Sequence, residues 1–140
     1  EEAYAVADRL AVMRDGRIER DGIAAEVWAD PGSAFAARFL GHRNVLDGPT
    51  ARALGLGPDP VVVREAAVVD AASTVDGPAA GPFPATVVDV RFRWATSLVT
   101  LRVGAAGRNV DLEVHRDRPP SVGSTVSVWL DTTQVRSLAG

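Results

Sequence analysis

Residues 85–114 read ATVVDVRFRWATSLVTLRVGAAGRNVDLEV, and three runs within them, 85–94, 97–103 and 109–114, are rich in Val, Leu, Thr and aromatic residues. In the first run Val88, Val90, Phe92 and Trp94 fall on one side, and Asp89, Arg91 and Arg93 on the other. In the third, Val110, Leu112 and Val114 alternate with Asp111, Glu113 and His115. This period of two is that of a strand with one face buried. A further run, 125–130, alternates in the same way through Val126, Val128 and Leu130, and 104–107 and 119–123 supply turns. Upstream, PVVVREAAVV at 60–69 is a nearly continuous β-branched run and predicts one more strand. Between them, 71–82 is small, polar and broken by Gly and Pro, and predicts a mobile connection. Four or five short strands at this spacing predict a small barrel, closed or nearly closed, because an open sheet would leave edges bare.

The chain before the barrel has a different texture. Leu10, Val12 and Ile18 flank Asp15-Gly16, a dipeptide suited to a tight hairpin turn, and Asp21-Gly22 predicts a second break. Residues 23–29, IAAEVWA, suit a short helix stopped by Asp30-Pro31. Ser33 is placed to cap a second helix whose apolar face would be Phe35, Phe39 and Leu40, with Gly41 at its end. A short helical piece around 50–54 is ended by Gly55. Hairpin, helix, helix in 41 residues is too little to enclose a core without Cys or metal, so this segment should pack on something else.

Composition narrows the function classes. All 15 basic residues are Arg, and with the abundance of Ala, Val and Gly this reads as genomic codon bias. The net charge is -3 and no basic tail is present, which argues against a nucleic-acid module. There is no Cys, excluding disulfides and thiolate chemistry. No apolar run approaches the ~20 residues needed to cross a bilayer, and a cytosolic protein is expected. The sequence starts Glu1-Glu2-Ala3, without Met, and reads as cut from something longer.

At the start of the chain, EEAYAVADRLAVMRDGRIERDG resembles the stretch that follows the switch histidine in ABC ATPases, through Glu1, Glu2, Ala3, Ala7, Asp8, Arg9, Met13, Gly16, Arg17, Ile18 and Gly22. AEVWADPGSAFAARFLG resembles that family's two-helix continuation, with Ile23-Ala24 standing where members usually have Thr-Pro. Asn44, Val45 and Leu46 fit the start of its appended regulatory domain, and VVVREAAVV its apolar strand, here with Arg64 and Glu65 adjacent and the usual Pro missing. RPPSVGSTVSVWLDTTQVRSL resembles the last strand of that appended module, the TOBE domain, of OB-fold type.

The resemblance implies a mainly β fold: a small OB-like barrel (TOBE) over 43–140, preceded over 1–42 by a hairpin and short helices from the end of an ATPase domain. It implies the regulatory and dimerisation part of an importer's ATP-binding subunit, of the iron, thiamine, sulfate, polyamine or sugar type. The expected partners are a second copy, the rest of the ATPase domain and the membrane permease subunits, at the inner face of the cell membrane. ATP and Mg²⁺ would belong to the full-length subunit. This chain has no Lys, hence no phosphate-loop Lys, so no catalytic, cofactor-binding or metal residue is assigned within it.

Arg64, Glu65 and Asn44 are the candidate junction residues, with a plain surface ion pair as the alternative for Arg64 and Glu65. His42 and His115 are far apart and without Cys, which favours surface or hydrogen-bonding roles over metal ligation. Glu1 and Glu2, adjacent on a helix, read as solvated residues rather than a carboxylate pair. Trp28, Trp94 and Trp129 are expected to pack inside rather than stack on bases. Two other readings stand beside regulation. One is an oxyanion-binding barrel using Thr96-Ser97 and Ser124-Thr125; the other is an independent nucleic-acid OB-fold.

Overall fold

A computed structural model describes residues 9–70, 75 and 77–138. It begins with an antiparallel hairpin, β1 (Arg9–Arg14) and β2 (Arg17–Ile23). Asp15 and Gly16 both take positive φ, 52° and 78°, as the Asp-Gly turn requires. β2 runs through Asp21 and Gly22, which pair with Ala11 and Leu10, so the expected second break is absent. A turn signal flanked by a good partner strand is overridden by the ladder.

Two short helices follow, α1 (Ala24–Ala29) and α2 (Ala34–Phe39). The Ser33 hydroxyl caps α2, accepting from the Ala36 amide at 3.1 Å. At the other end Gly41 takes φ 94°, and the amides of His42 and Gly41 donate to the carbonyls of Ala37 and Arg38. That paired closure satisfies carbonyls the helix itself leaves open. The face α2 buries is not the expected one: Ala34, Ala36, Ala37 and Leu40 are buried, whereas Phe39 is exposed. Small residues let the helix approach closely, and the large ring is turned outward, 6.1 Å from the Phe35 ring.

The chain then forms β3 (Val45–Leu46), α3 (Gly48–Ala53) and β4 (Val61–Val63). The β-branched run at 60–69 is not one strand. β4 ends at Val63, a 3-10 turn occupies Glu65–Ala67, and β5 (Val68–Val69) joins a different sheet. β-Propensity describes a fit to any pleated surface and says nothing of which sheet receives the residue. Of the expected connection at 71–82, residues 71–74 and 76 lie outside the described residues, and Ala79–Pro82 already belong to the next strand.

That strand, β6 (Ala79–Arg93), is followed by β7 (Thr96–Ala105), β8 (Arg108–Arg116), β9 (Thr125–Asp131) and β10 (Val135–Ser137). The five-stranded sheet has the order β5-β9-β6-β7-β8, all neighbours antiparallel, and curls around a core that includes Val87, Val99, Leu112, Val128 and Leu130. One side chain bridges the outermost strands: the Arg116 guanidinium of β8 donates to the backbone carbonyl of Val68 in β5 at 2.9 Å. A mainly β fold with an OB-like half-barrel, its edge strands bridged but not paired, is therefore what the sequence forms.

Within β6 the alternation changes phase. Ala85 and Val87 are buried, the register shifts between Val87 and Asp89, and Val90 then packs on the core. Val88 is the extra residue of a bulge. β9 accompanies β6 only as far as Thr86, so the end of β6 has β7 alone beside it. Phe92 and Trp94 consequently stand in solvent, Trp94 fully so, against the expectation of an apolar inner face.

The second sheet, in the order β10-β4-β3, joins the barrel to what precedes it. Val61 and Val63 face the barrel core, together with Leu46. Val62 faces the other way and packs with Ala34 and Ala37 of α2, Leu138 and the partly buried Val45. β4 is thus buried on both sides, and the segment that could not enclose its own core is seated on the back of the barrel.

Candidate functional site at the junction

α1 has six residues, too few for its last carbonyls to find partners within it. Two side chains from beyond the helices supply them. Arg64, just after β4, donates from Nη2 to the Ala29 carbonyl at 2.7 Å. His42 places Nε2 3.0 Å from the Trp28 carbonyl, and since a carbonyl only accepts, Nε2 carries the proton. The His42 and Trp28 rings stack with centroids 3.7 Å apart. A cation and a ring N–H at a helix C-terminus also suit its negative end. Burial of the imidazole, helped by the nearby Arg64 charge, lowers the His42 pKa from its ordinary 6.5, against the raising effect of the Trp28 carbonyl.

The backbone of Arg64 is held from the other side, where its amide donates to the Gln134 carbonyl at 3.2 Å. Arg136 of β10 adds an exposed ion pair to Asp30 at 3.7 Å, of a kind worth only ~0–1 kcal/mol. The Arg64 bond is part-buried and charge-assisted, and dominates the link.

Asn44 and Glu65 act on the barrel's free edge. Asn44 is buried, and its amide mimics a peptide: Nδ2 donates to the Glu113 carbonyl at 2.9 Å, and Oδ1 accepts from the Glu113 amide at 2.8 Å. Two residues along β8, the Glu65 carboxylate accepts from the His115 amide and lies 2.9 Å from His115 Nδ1. Together they stand in for a neighbouring strand on the outer edge of β8, which would otherwise invite pairing with another chain.

All three candidate residues therefore line one place, a cavity of about 280 Å³ that Trp28 and His42 also border. No ion pair joins Arg64 to Glu65 among the described residues; Arg64 reaches back to α1 and Glu65 across to β8. Sequence reasoning missed Trp28 and His42 as lining residues of the cavity, and His115 as the partner of Glu65. The signal for His115 was its place on the outward face of β8, two residues from Glu113. Both histidines are hydrogen-bonded, and no group of three metal-ligating side chains occurs among the described residues. The expected burial is corrected for two of the three tryptophans: Trp28 is 37% exposed and Trp94 wholly so, while Trp129 is half-buried.

The residue pairs invoked for an oxyanion site are not brought together. Thr125 pairs with Thr86 and Thr96 with Arg93, at opposite ends of the same stretch of β6. Seven residues of strand separate them by roughly 20 Å.

The architecture defines a class, a curled OB-like half-barrel with a hairpin-and-helix segment bolted to its back. The family model for the TOBE domain matches residues 54–138, and the chain belongs to that family. It is 37% identical, over 99% of its own length and 42% of the relative's, to the Fe(3+) ions import ATP-binding protein FbpC of Streptomyces coelicolor. It is 33% identical to the sulfate/thiosulfate import ATP-binding protein CysA 2 of Chromobacterium violaceum, over 100% of this chain and 43% of that one. A shorter stretch, 40% of this chain and 15% of the relative, is 49% identical to the spermidine/putrescine import ATP-binding protein PotA of Oleidesulfovibrio alaskensis. The chain spans less than half the length of these relatives. No helix among the described residues is long and apolar enough to cross a membrane.

Proposed function

We propose that the chain is the C-terminal regulatory and dimer-stabilising part of the ATP-binding subunit of a bacterial ABC importer. TOBE membership and the import ATP-binding relatives support this reading. The observation that carries it is β4, buried between the barrel core and α2 and reinforced by the Arg64 bond to α1. Tail and barrel then move as one piece. A shift at the ATPase edge is delivered to the barrel, and a contact between two barrels is delivered back.

Two copies meeting through their barrels keep the ATPase domains near one another while these open and close on ATP, a gain in effective concentration. Arg64, Glu65 and Asn44 maintain the junction that makes this coupling rigid. ATP and Mg²⁺ are handled by the rest of the subunit, since this chain has no phosphate-loop Lys and does not hydrolyse ATP by itself. The partners are a second copy, the remaining ATPase domain and the membrane permease subunits, with the protein on the cytoplasmic face of the membrane. Sedimentation of the full-length subunit tests the role. Deleting residues 43–140 should shift it from dimer towards monomer in the absence of ATP, and an unchanged dimer would refute it.

A further inference from the structure

The two edge strands of the curled sheet are unequal, β5 with two residues and β8 with nine. β5 covers β9 only at Trp129 and Leu130. The Arg116 bond to the Val68 carbonyl bridges the seam at one level. Beside that bridge the seam opens into a cleft of about 480 Å³, within the range of small-molecule sites, ~300–1,000 Å³. Its floor is aliphatic and belongs to the barrel core: Val99, Leu101 and Val114. Trp129 and Ser127 of β9 border it on one side.

The lining charges are Arg116, Arg118 and Asp70, a net positive set. Arg116 is fixed by the Val68 and His115 carbonyls, with Asp70 4.0 Å away. A guanidinium has five N–H donors, so these contacts leave it others. Arg118 is exposed and has no ion-pair partner among the described residues. A fully hydrated inorganic oxyanion would gain nothing from an aliphatic floor. A neutral apolar molecule would leave the guanidinium groups unused.

We propose that this cleft binds a small organic anion, a carboxylate carried on an aromatic or branched aliphatic body. The carboxylate pairs with Arg118 and Arg116, and the body lies against the half-buried Pro120, Val126 and Trp129, above the core residues of the floor. This site needs neither a dimer nor a transporter, and it is distinct from the junction around Arg64.

Calorimetry of the 140-residue chain tests it, with indole-3-propionate, its primary amide and sulfate as probes. The carboxylate should bind saturably, and the amide should bind about ten-fold more weakly, the loss of one charge-assisted contact. Arg118→Gln should weaken the carboxylate by a similar factor, and Ser127→Trp, which fills the rim, should abolish binding. Arg118 is exposed, so its variant reports on the site even where Ser127→Trp unsettles the fold. Absence of saturation at millimolar carboxylate overturns the proposal. So does equal binding of the amide, sulfate binding as tightly as the carboxylate, or an unaltered affinity in Arg118→Gln.

Discussion

Among the described residues, 17 buried ones form one continuous cluster in the barrel, whereas the hairpin and helices of residues 9–42 close over four, Val12, Val27, Ala36 and Leu40. The first is a core in its own right. The second holds only because Ala34 and Ala37 share a further cluster with Val62 and Leu138, which come from beyond residue 42. Two regions continuous in sequence thus differ in what keeps them folded. The barrel depends on itself, and the segment before it depends on the barrel.

The comparison is broken most severely from the barrel side. Leu112→Ala removes a fully buried side chain from the large cluster and should cost about 2–5 kcal/mol. In urea denaturation the hairpin and helices should unfold with the barrel, in one transition. A charge at the shared face acts one way only. Val62→Asp should detach α2, at a cost of about 2–4 kcal/mol to that contact for an unpaired buried group. Hydrogen exchange should then accelerate in α1 and α2 far more than in β7. Equal acceleration in both would show that the dependence runs in both directions.

Asn44→Ala separates edge from core. It leaves the Glu113 amide and carbonyl without partners and should cost about 1–3 kcal/mol. Faster exchange should be confined to the outer edge of β8, with increased self-association at high concentration. The smallest effect is expected from pH. The His42 pKa is lowered in the folded chain, so below 6.5 the unfolded chain takes up its proton first. The stability His42 contributes is therefore present above pH 6.5 and declines as pH falls below it. His42→Gln should flatten that slope between pH 7 and 5 in thermal unfolding.

The barrel was legible because period two survives wherever one face is buried, as Val110, Leu112 and Val114 show. It ceased to be legible where an extra residue changed the phase. Nothing in the string TVVDVRF marks Val88 as a bulge or shows that β9 leaves β6 at Thr86, so the alternation puts Val88 inward and carries the inner face on to Phe92 and Trp94. Likewise PVVVREAAVV holds no sign that its valines serve two sheets, since the division depends on where Glu65 finds His115, 50 residues away. Arg64, Glu65 and Asn44 could be singled out, but not their partners. Two of those partners, the Ala29 and Glu113 carbonyls, are backbone groups that carry no sequence signal.

One consequence of β4 concerns any attempt to produce the barrel by itself. A chain begun at residue 43 would keep the large cluster intact yet uncover Val62, Leu138 and Val45, an apolar strip running across β3 and β4 to the residue after β10. Such a strip is sticky in water. Purified alone, the barrel would pair back to back through it, and that artificial dimer would be mistaken for a physiological one. Polar replacements at Val45 and Leu138, which leave the inward valines of β4 in place, are the way to obtain a monomeric reference against which genuine barrel-to-barrel association can be measured.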